Sequence, residues 1–162
     1  MAYFEKNPQW ANWDGPYFEE YKSYESFEDF KESEDYSFLK KDSCRCILFD
    51  GRPIGMVSRG WIDKKTRWLE IGLIIYDENC WSKGLGSQAL SLWTSKTFND
   101  FPELEHIGLT TWSGNIRMTK AAEKLGFLKE GQIRKVRYWK DFYYDSLKYE
   151  ILRDEWTNKS RS

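Results

Sequence analysis

The sequence predicts a mixed α/β fold: a strongly twisted sheet of parallel and antiparallel strands with helices on both faces. Three observations predict it. From Cys44 to Tyr76 apolar residues recur with period two across two turns, as in a three-stranded meander. From Trp68 to Gly126 the pattern runs strand, helix, strand, helix, a βαβα unit that implies parallel pairing through a right-handed crossover. Beyond Ile133 the pattern returns to alternation about the turn Lys140-Asp141.

Taken in order, residues 1–41 read as helix and loop. Ser26 with Glu28 and Asp29 is a loose capping box, and Tyr24, Phe27 and Phe30 recur at near-helical spacing as one packed face. Trp10 to Phe18, with Pro16, is too irregular for one element. Cys44–Phe49, Ile54–Ile62 and Trp68–Tyr76 are the meander strands, separated by turns at Asp50-Gly51-Arg52-Pro53 and Asp63-Lys64-Lys65-Thr66. The third is nearly continuous in apolar residues and reads as buried on both faces. Leu85, Ala89, Leu92 and Trp93 follow helical spacing. Ile107–Trp112 alternates. Met118, Ala121, Ala122 and Leu125 keep i, i+3, i+4, i+7 order, and Gly126 is the expected stop. Strands Trp68–Tyr76 and Ile107–Trp112 are expected to be parallel and to diverge toward their C-terminal ends. No linker or repeat interrupts the chain, so a single domain over 1–162 is expected.

Composition excludes several functions. With 162 residues the chain can bury one real core. Lys and Arg number 25 and Asp and Glu 26, so no bulk charge draws it to nucleic acid or an anionic membrane. No run of about 18 uncharged apolar residues is present, and the first ten residues lack a signal-peptide core, so a cytoplasmic location is expected. Three Cys and one His argue against a disulfide framework and a four-ligand zinc site, so no metal is expected. Nine Trp, ten Tyr and ten Phe exceed the needs of a core, and some are expected to line a pocket or a homodimer contact.

The segment Trp81-Ser82-Lys83-Gly84-Leu85-Gly86-Ser87 leads from a buried strand into an amphipathic helix. Gly84 and Gly86 remove side chains where backbone N–H groups converge at a helix N-terminus, a geometry suited to a pyrophosphate. Lys83 adds positive charge. Alone, the motif is equally a tight strand-to-helix turn. A Walker A loop is excluded, and the third glycine of a dinucleotide fingerprint is missing.

Beside this loop stand Glu70-Ile71-Gly72, Ser113-Gly114-Asn115, Glu123-Lys124-Leu125-Gly126-Phe127 with Glu130-Gly131, and Tyr143-Tyr144-Asp145. In this order and spacing, over Cys44 to Trp156, they resemble the GCN5-related N-acetyltransferases (GNAT), in the branch of ribosomal-protein-alanine and spermidine acetyltransferases. The resemblance implies an acyl-CoA acyltransferase fold with residues 44–156 as core and 1–41 on the acceptor side. It implies acetyl-CoA as donor and an amine as acceptor, joined by direct attack in a ternary complex. The pyrophosphate would rest on Trp81 to Ser87 and the pantetheine arm would pair with Ile74, Ile75 and Tyr76. Asn115 would bind that arm, and Lys124 would stand among the donor-binding residues. The chain departs from the family twice: Trp81 replaces the usual Gln or Arg, and Ala122 stands where many relatives carry a Tyr that protonates the leaving thiolate.

A primary amine is mostly protonated at neutral pH and must lose a proton before attacking a thioester. Glu70, a carboxylate in an otherwise apolar strand, is the expected base, against a structural reading as partner of a cation. Tyr76 is one of several tyrosines that could donate a proton, and a backbone N–H near Ile75 or Tyr76 could hold the oxyanion. Trp10, Trp13, Tyr17, Phe18 and Trp139 could frame the acceptor or merely pack. Two other readings stand open: a non-catalytic acyl-CoA sensor, and an aromatic-rich interaction module on the same fold.

Overall fold

The computed structural model describes residues 9–17 and 24–159. Six strands form one mixed sheet in the order β1-β2-β3-β4-β6-β5. They are β1 (Cys44–Phe49), β2 (Arg52–Asp63), β3 (Trp68–Ile75), β4 (His106–Trp112), β5 (Leu128–Trp139) and β6 (Phe142–Leu152). Helices α1 (Ala11–Asp14), α2 (Phe27–Lys31) and α3 (Glu34–Leu39) precede the sheet; α4 (Leu85–Asp100), α5 (Ile116–Lys124) and α6 (Arg153–Lys159) follow β3, β4 and β6.

The expected parallel pair is β3 with β4, and it is joined at a single register point, Glu70 opposite Gly108. Beyond it β3 runs on to Ile75 and β4 to Trp112 with no further ladder pair between them. Their inner edges therefore carry backbone groups that the sheet leaves unused, and a slot opens between the strands.

Strand alternation sorts the sheet into two faces. Leu69 and Ile71 of β3 point into the main core with Leu90 and Trp93 of α4, Ile107 and Leu109 of β4, Ala122 of α5 and Phe127. Glu70 and Gly72 point the other way and are only half-buried. The expectation that β3 is buried on both faces is thus corrected. The second face is covered by a thin N-terminal layer, where Trp10 meets Tyr76 edge-on at 5.0 Å.

Three further boundaries differ from the sequence reading. Strand β5 starts at Leu128, five residues early, and carries two register shifts, so its alternation is broken. His106, one residue before the strand Ile107–Trp112 read from the sequence, opens β4 and is hydrogen-bonded to Glu150. Helix α6 was not expected. It follows from side chains that reach far in sequence: Arg153 donates to the carbonyls of Phe98 in the last turn of α4, Phe101 at its C-cap and Leu104 in the loop beyond, and the Trp156 indole donates to Ser95 at 3.0 Å. These bonds satisfy helix C-terminal carbonyls that α4 cannot satisfy itself. At the other end the Ser26 cap holds: its Oγ accepts from Asp29 N–H at 3.1 Å.

One ring helps fasten the N-terminal layer. The Trp112 indole lies where a Cβ on Gly15 or Gly114 would sit, 2.5 and 1.8 Å from its atoms. Its Nε1 donates to the Trp13 carbonyl at 2.8 Å. Only glycine at both positions lets the chain close on the ring.

Candidate active site

A cavity of about 300 Å3 opens where β3, the following loop and α5 meet. Ser82, Gly84, Gly86 and Ser87 form its floor at the N-terminus of α4. Gly84 is the N-cap, in the left-handed region at φ 79°, and the space a Cβ would occupy is empty. The first amides of α4 have no partner one turn earlier, and the helix dipole adds to their attraction for an anion. Arg117, Lys120 and Lys124 of α5 line the opposite wall. Arg117 sits in the corner between the nearly perpendicular Trp13 and Trp81 rings, 4.4 Å from each centroid. The site thus offers backbone N–H groups and three cations around a cavity with apolar walls.

The edge of β3 completes it. Tyr76 N–H donates to the Ile54 carbonyl at 2.8 Å and so faces β2. This corrects Tyr76 N–H as an oxyanion donor. Alternation turns the polar backbone groups of Leu73 and Ile75 into the slot instead. There the Trp81 indole donates to the Ile75 carbonyl at 2.9 Å. Trp81, the residue that departs from the family pattern, therefore covers the slot edge by a bond that Gln or Arg would make differently.

A second cavity, about 180 Å3, continues the first along the splayed strands. Its wall carries Tyr17, Met56, Thr110 and Trp112. Trp13, Asp14, Leu73, Ile74, Asn115 and Met118 line both cavities, so the two meet at these side chains. Among them only Asp14 is titratable. Burial pushes its carboxyl up from 3.8 to about 6.

Of the residues expected from sequence to bind the donor, Ile74, Ile75, Trp81, Ser82, Gly84, Gly86, Ser87, Asn115 and Lys124 line the first cavity. Lys83 is exposed and Leu85 lines a different hollow beside β1, so neither side chain faces it. Asn115 is already engaged: Oδ1 accepts from Met118 N–H and Nδ2 donates to the Trp13 carbonyl, both at 3.0 Å. Ala122 is buried in the core. Phe18 lies outside the described residues, and Trp139 packs edge-on against Trp112 at 5.3 Å.

The catalytic candidates fare differently. Glu70 is not in an apolar setting. Its carboxylate is ion-paired with Lys148 at 2.8 Å and accepts from Thr110 Oγ1 at 2.7 Å. It lines neither cavity and reaches the second only through Thr110. The Tyr76 ring also lies outside both walls, beneath Trp10; burial, with a smaller contribution from the charges around it, including Asp14, raises its hydroxyl pKa, so it stays protonated. Asp14 was missed because it sits in a short helical turn with no motif around it. Only the docking of that turn on Trp112 brings it to the cavities.

Comparisons with known proteins show the family and the fold. Residues 1–128 match the family model described as acetyltransferase (GNAT) domain. YdaF of Bacillus subtilis (strain 168), described as a candidate ribosomal N-acetyltransferase, is 31% identical over 110 residues, 68% of this chain and 59% of its own length. The chain spans between 55% and 66% of the length of the curated relatives it matches. The fold is shared with a GNAT-family acetyltransferase from Bacillus anthracis, at a TM-score of 0.72 and 19% identity, covering 96% of this chain and 88% of that one. It is also shared with yncA of Salmonella typhimurium, whose structure contains acetyl-CoA, at a TM-score of 0.61 and 19% identity, covering 69% and 65%.

Proposed function

The chain belongs to the acetyltransferase (GNAT) domain family, and we propose that it moves the acetyl group of acetyl-CoA to a primary amine while both are bound. The observation that supports this best is the pair of joined cavities. The larger has amides, glycines and cations for a pyrophosphate and a β3 edge that no strand pairs with, its Ile75 carbonyl bonded by Trp81, for the pantetheine amides. The smaller continues it and carries no Lys or Arg in its wall. A thioester lying along β3 would bring its carbonyl close to the junction, within reach of the slot-facing Ile75 N–H in the larger cavity, which can hold the developing oxyanion.

In this reading the amine nitrogen attacks the carbonyl carbon and the carbon–sulfur bond breaks. A thiol has a pKa of about 8.5, so the thiolate leaves without a tyrosine at Ala122. Glu70 holds Thr110 in place at the wall of the smaller cavity and pairs with Lys148 behind it, and Asn115 joins α5 to the N-terminal layer.

Titration with CoA, followed by a turnover screen of amines with acetyl-CoA, tests this. Wild-type protein is expected to bind CoA and to release thiol only with an amine present. Gly84→Val should bind CoA at least about 100-fold more weakly, because its side chain fills the space over the amides and the left-handed backbone disfavours a branched residue. A folded Gly84→Val protein with unchanged CoA affinity overturns the donor site. CoA binding with no thiol release against any amine favours a sensor.

A further inference from the structure

Two joined cavities raise the question of what meets the acceptor nitrogen. The smaller is walled by Trp13, Tyr17 and Trp112 rings, by Met56 and Met118, and by one carboxylate, Asp14. Aromatic faces and a carboxylate around a small space are the surroundings that suit an ammonium with a compact apolar body. Asp14 also lines the donor cavity, so one side chain reaches both substrates. No hydrogen bond or ion pair from the described residues occupies its carboxylate.

We infer that Asp14 is the catalytic residue that binds the acceptor's ammonium and takes its proton, and that the acceptor is a compact cationic amine with an apolar or aromatic body. This rests on the acyl-transfer reading above. The ammonium gives one proton to the Asp14 carboxylate and becomes a neutral amine. Its nitrogen forms the bond to the thioester carbon, the carbon–sulfur bond breaks, and the electron pair leaves on sulfur. The second nitrogen proton goes to the thiolate, and Asp14 returns its proton to water.

The surroundings of Asp14 suit a group that changes charge during turnover. Facing it are Tyr76 and Cys80 from β3 and its loop, Tyr17 from its own segment, and Arg117, Lys120 and Lys124 across the donor cavity. Arg117 is held in the corner of two indoles, which keeps its charge on the donor side. The raised carboxyl, at about 6, is largely ionised at pH 7 and close enough to that pH to accept a proton efficiently.

The test compares wild type with Asp14→Asn and Asp14→Ser, using 2-phenylethylamine, cationic at pH 7, and 4-methoxyaniline, neutral at pH 7. Amine binding to the CoA complex is read by tryptophan fluorescence, separately from turnover. Both variants are expected to keep wild-type CoA affinity and to bind the cationic amine at least about tenfold more weakly. Their kcat/KM should fall about 100-fold or more for the cationic amine and less for the neutral one. The acidic limb of the wild-type profile near pH 6 should vanish. Unchanged amine affinity and an unchanged pH profile in folded variants overturn the inference, as does wild type that binds no cationic amine. Asp14-dependent amine binding without any transfer supports the cation site and overturns the acyl-transfer reading instead.

Discussion

Two half-buried carboxylates, Glu70 and Asp14, differ in almost every respect that decides a role. Glu70 stands in the middle of the sheet, on a strand with high local order of pairing, and both of its oxygens are used: one by Lys148, one by Thr110. Asp14 stands on a four-residue helix laid over the sheet, no described residue pairs with its carboxylate, and burial raises its pKa. A paired carboxylate is stabilised as the anion and holds its neighbours; an unpaired one is free to bind a cation or a proton. Position in a regular element therefore says little about reactivity here. The partners decide it.

The comparison is sharpened most by turnover. Glu70→Gln keeps a hydrogen-bond acceptor for Thr110, and activity is expected to stay within about tenfold of wild type, far above the loss at Asp14. If Glu70→Gln erases the acidic limb of the pH–rate profile and Asp14→Asn does not, the two roles are reversed.

Stability should move in the opposite sense. Glu70→Ala leaves the Lys148 ammonium without its partner in a site where Lys148 is 29% exposed, and is expected to cost about 2 kcal/mol in urea unfolding. Glu70→Ala with Lys148→Met should recover most of that loss. A single variant as stable as wild type would mean the pair is solvated.

Asp14 gives the smaller and more diagnostic effect. Its folded pKa, about 6, lies above the ordinary 3.8, so the folded state binds more protons between those values. Stability is therefore lost as pH rises through about 4 to 6 and stays lost above it. Asp14→Asn should be more stable than wild type at pH 7 by on the order of 1–3 kcal/mol, with the gap closing at pH 4. Thermal unfolding at the two pH values measures it. A gap that is absent at pH 7 removes the evidence that Asp14 is desolvated.

The smallest effect concerns the layer that carries Asp14. Trp112→Phe keeps a ring between Gly15 and Gly114 and removes the indole bond to the Trp13 carbonyl. About 1 kcal/mol of stability should go, with a rise in KM for the amine and little change in CoA affinity. Equal weakening of both substrates would show that the N-terminal layer supports the whole site.

Much of this was legible in the residues. Period-two alternation gave β1, β2, β4 and β6, because a strand packed on one face must alternate, and a nearly continuous apolar run gave β3. Glycines at 84 and 86 before a helical repeat located the loop that floors the larger cavity, because backbone approach to an anion requires missing side chains. Strand β5 was partly hidden because its register shifts interrupt the alternation, and α6 because its packing depends on Ser95 and Phe127 rather than on its own pattern.

The sequence by itself determined the family, the order of the sheet's elements and the place of the glycine loop, all of which depend on local spacing. Only the tertiary structure decided which carboxylate is paired. Glu70 meets Lys148 across 78 residues, and Asp14 reaches the cavities because Trp112, about a hundred residues away, anchors its segment. Charge pairing acts through space over a few ångströms, and no spacing along the chain encodes which groups will come that close.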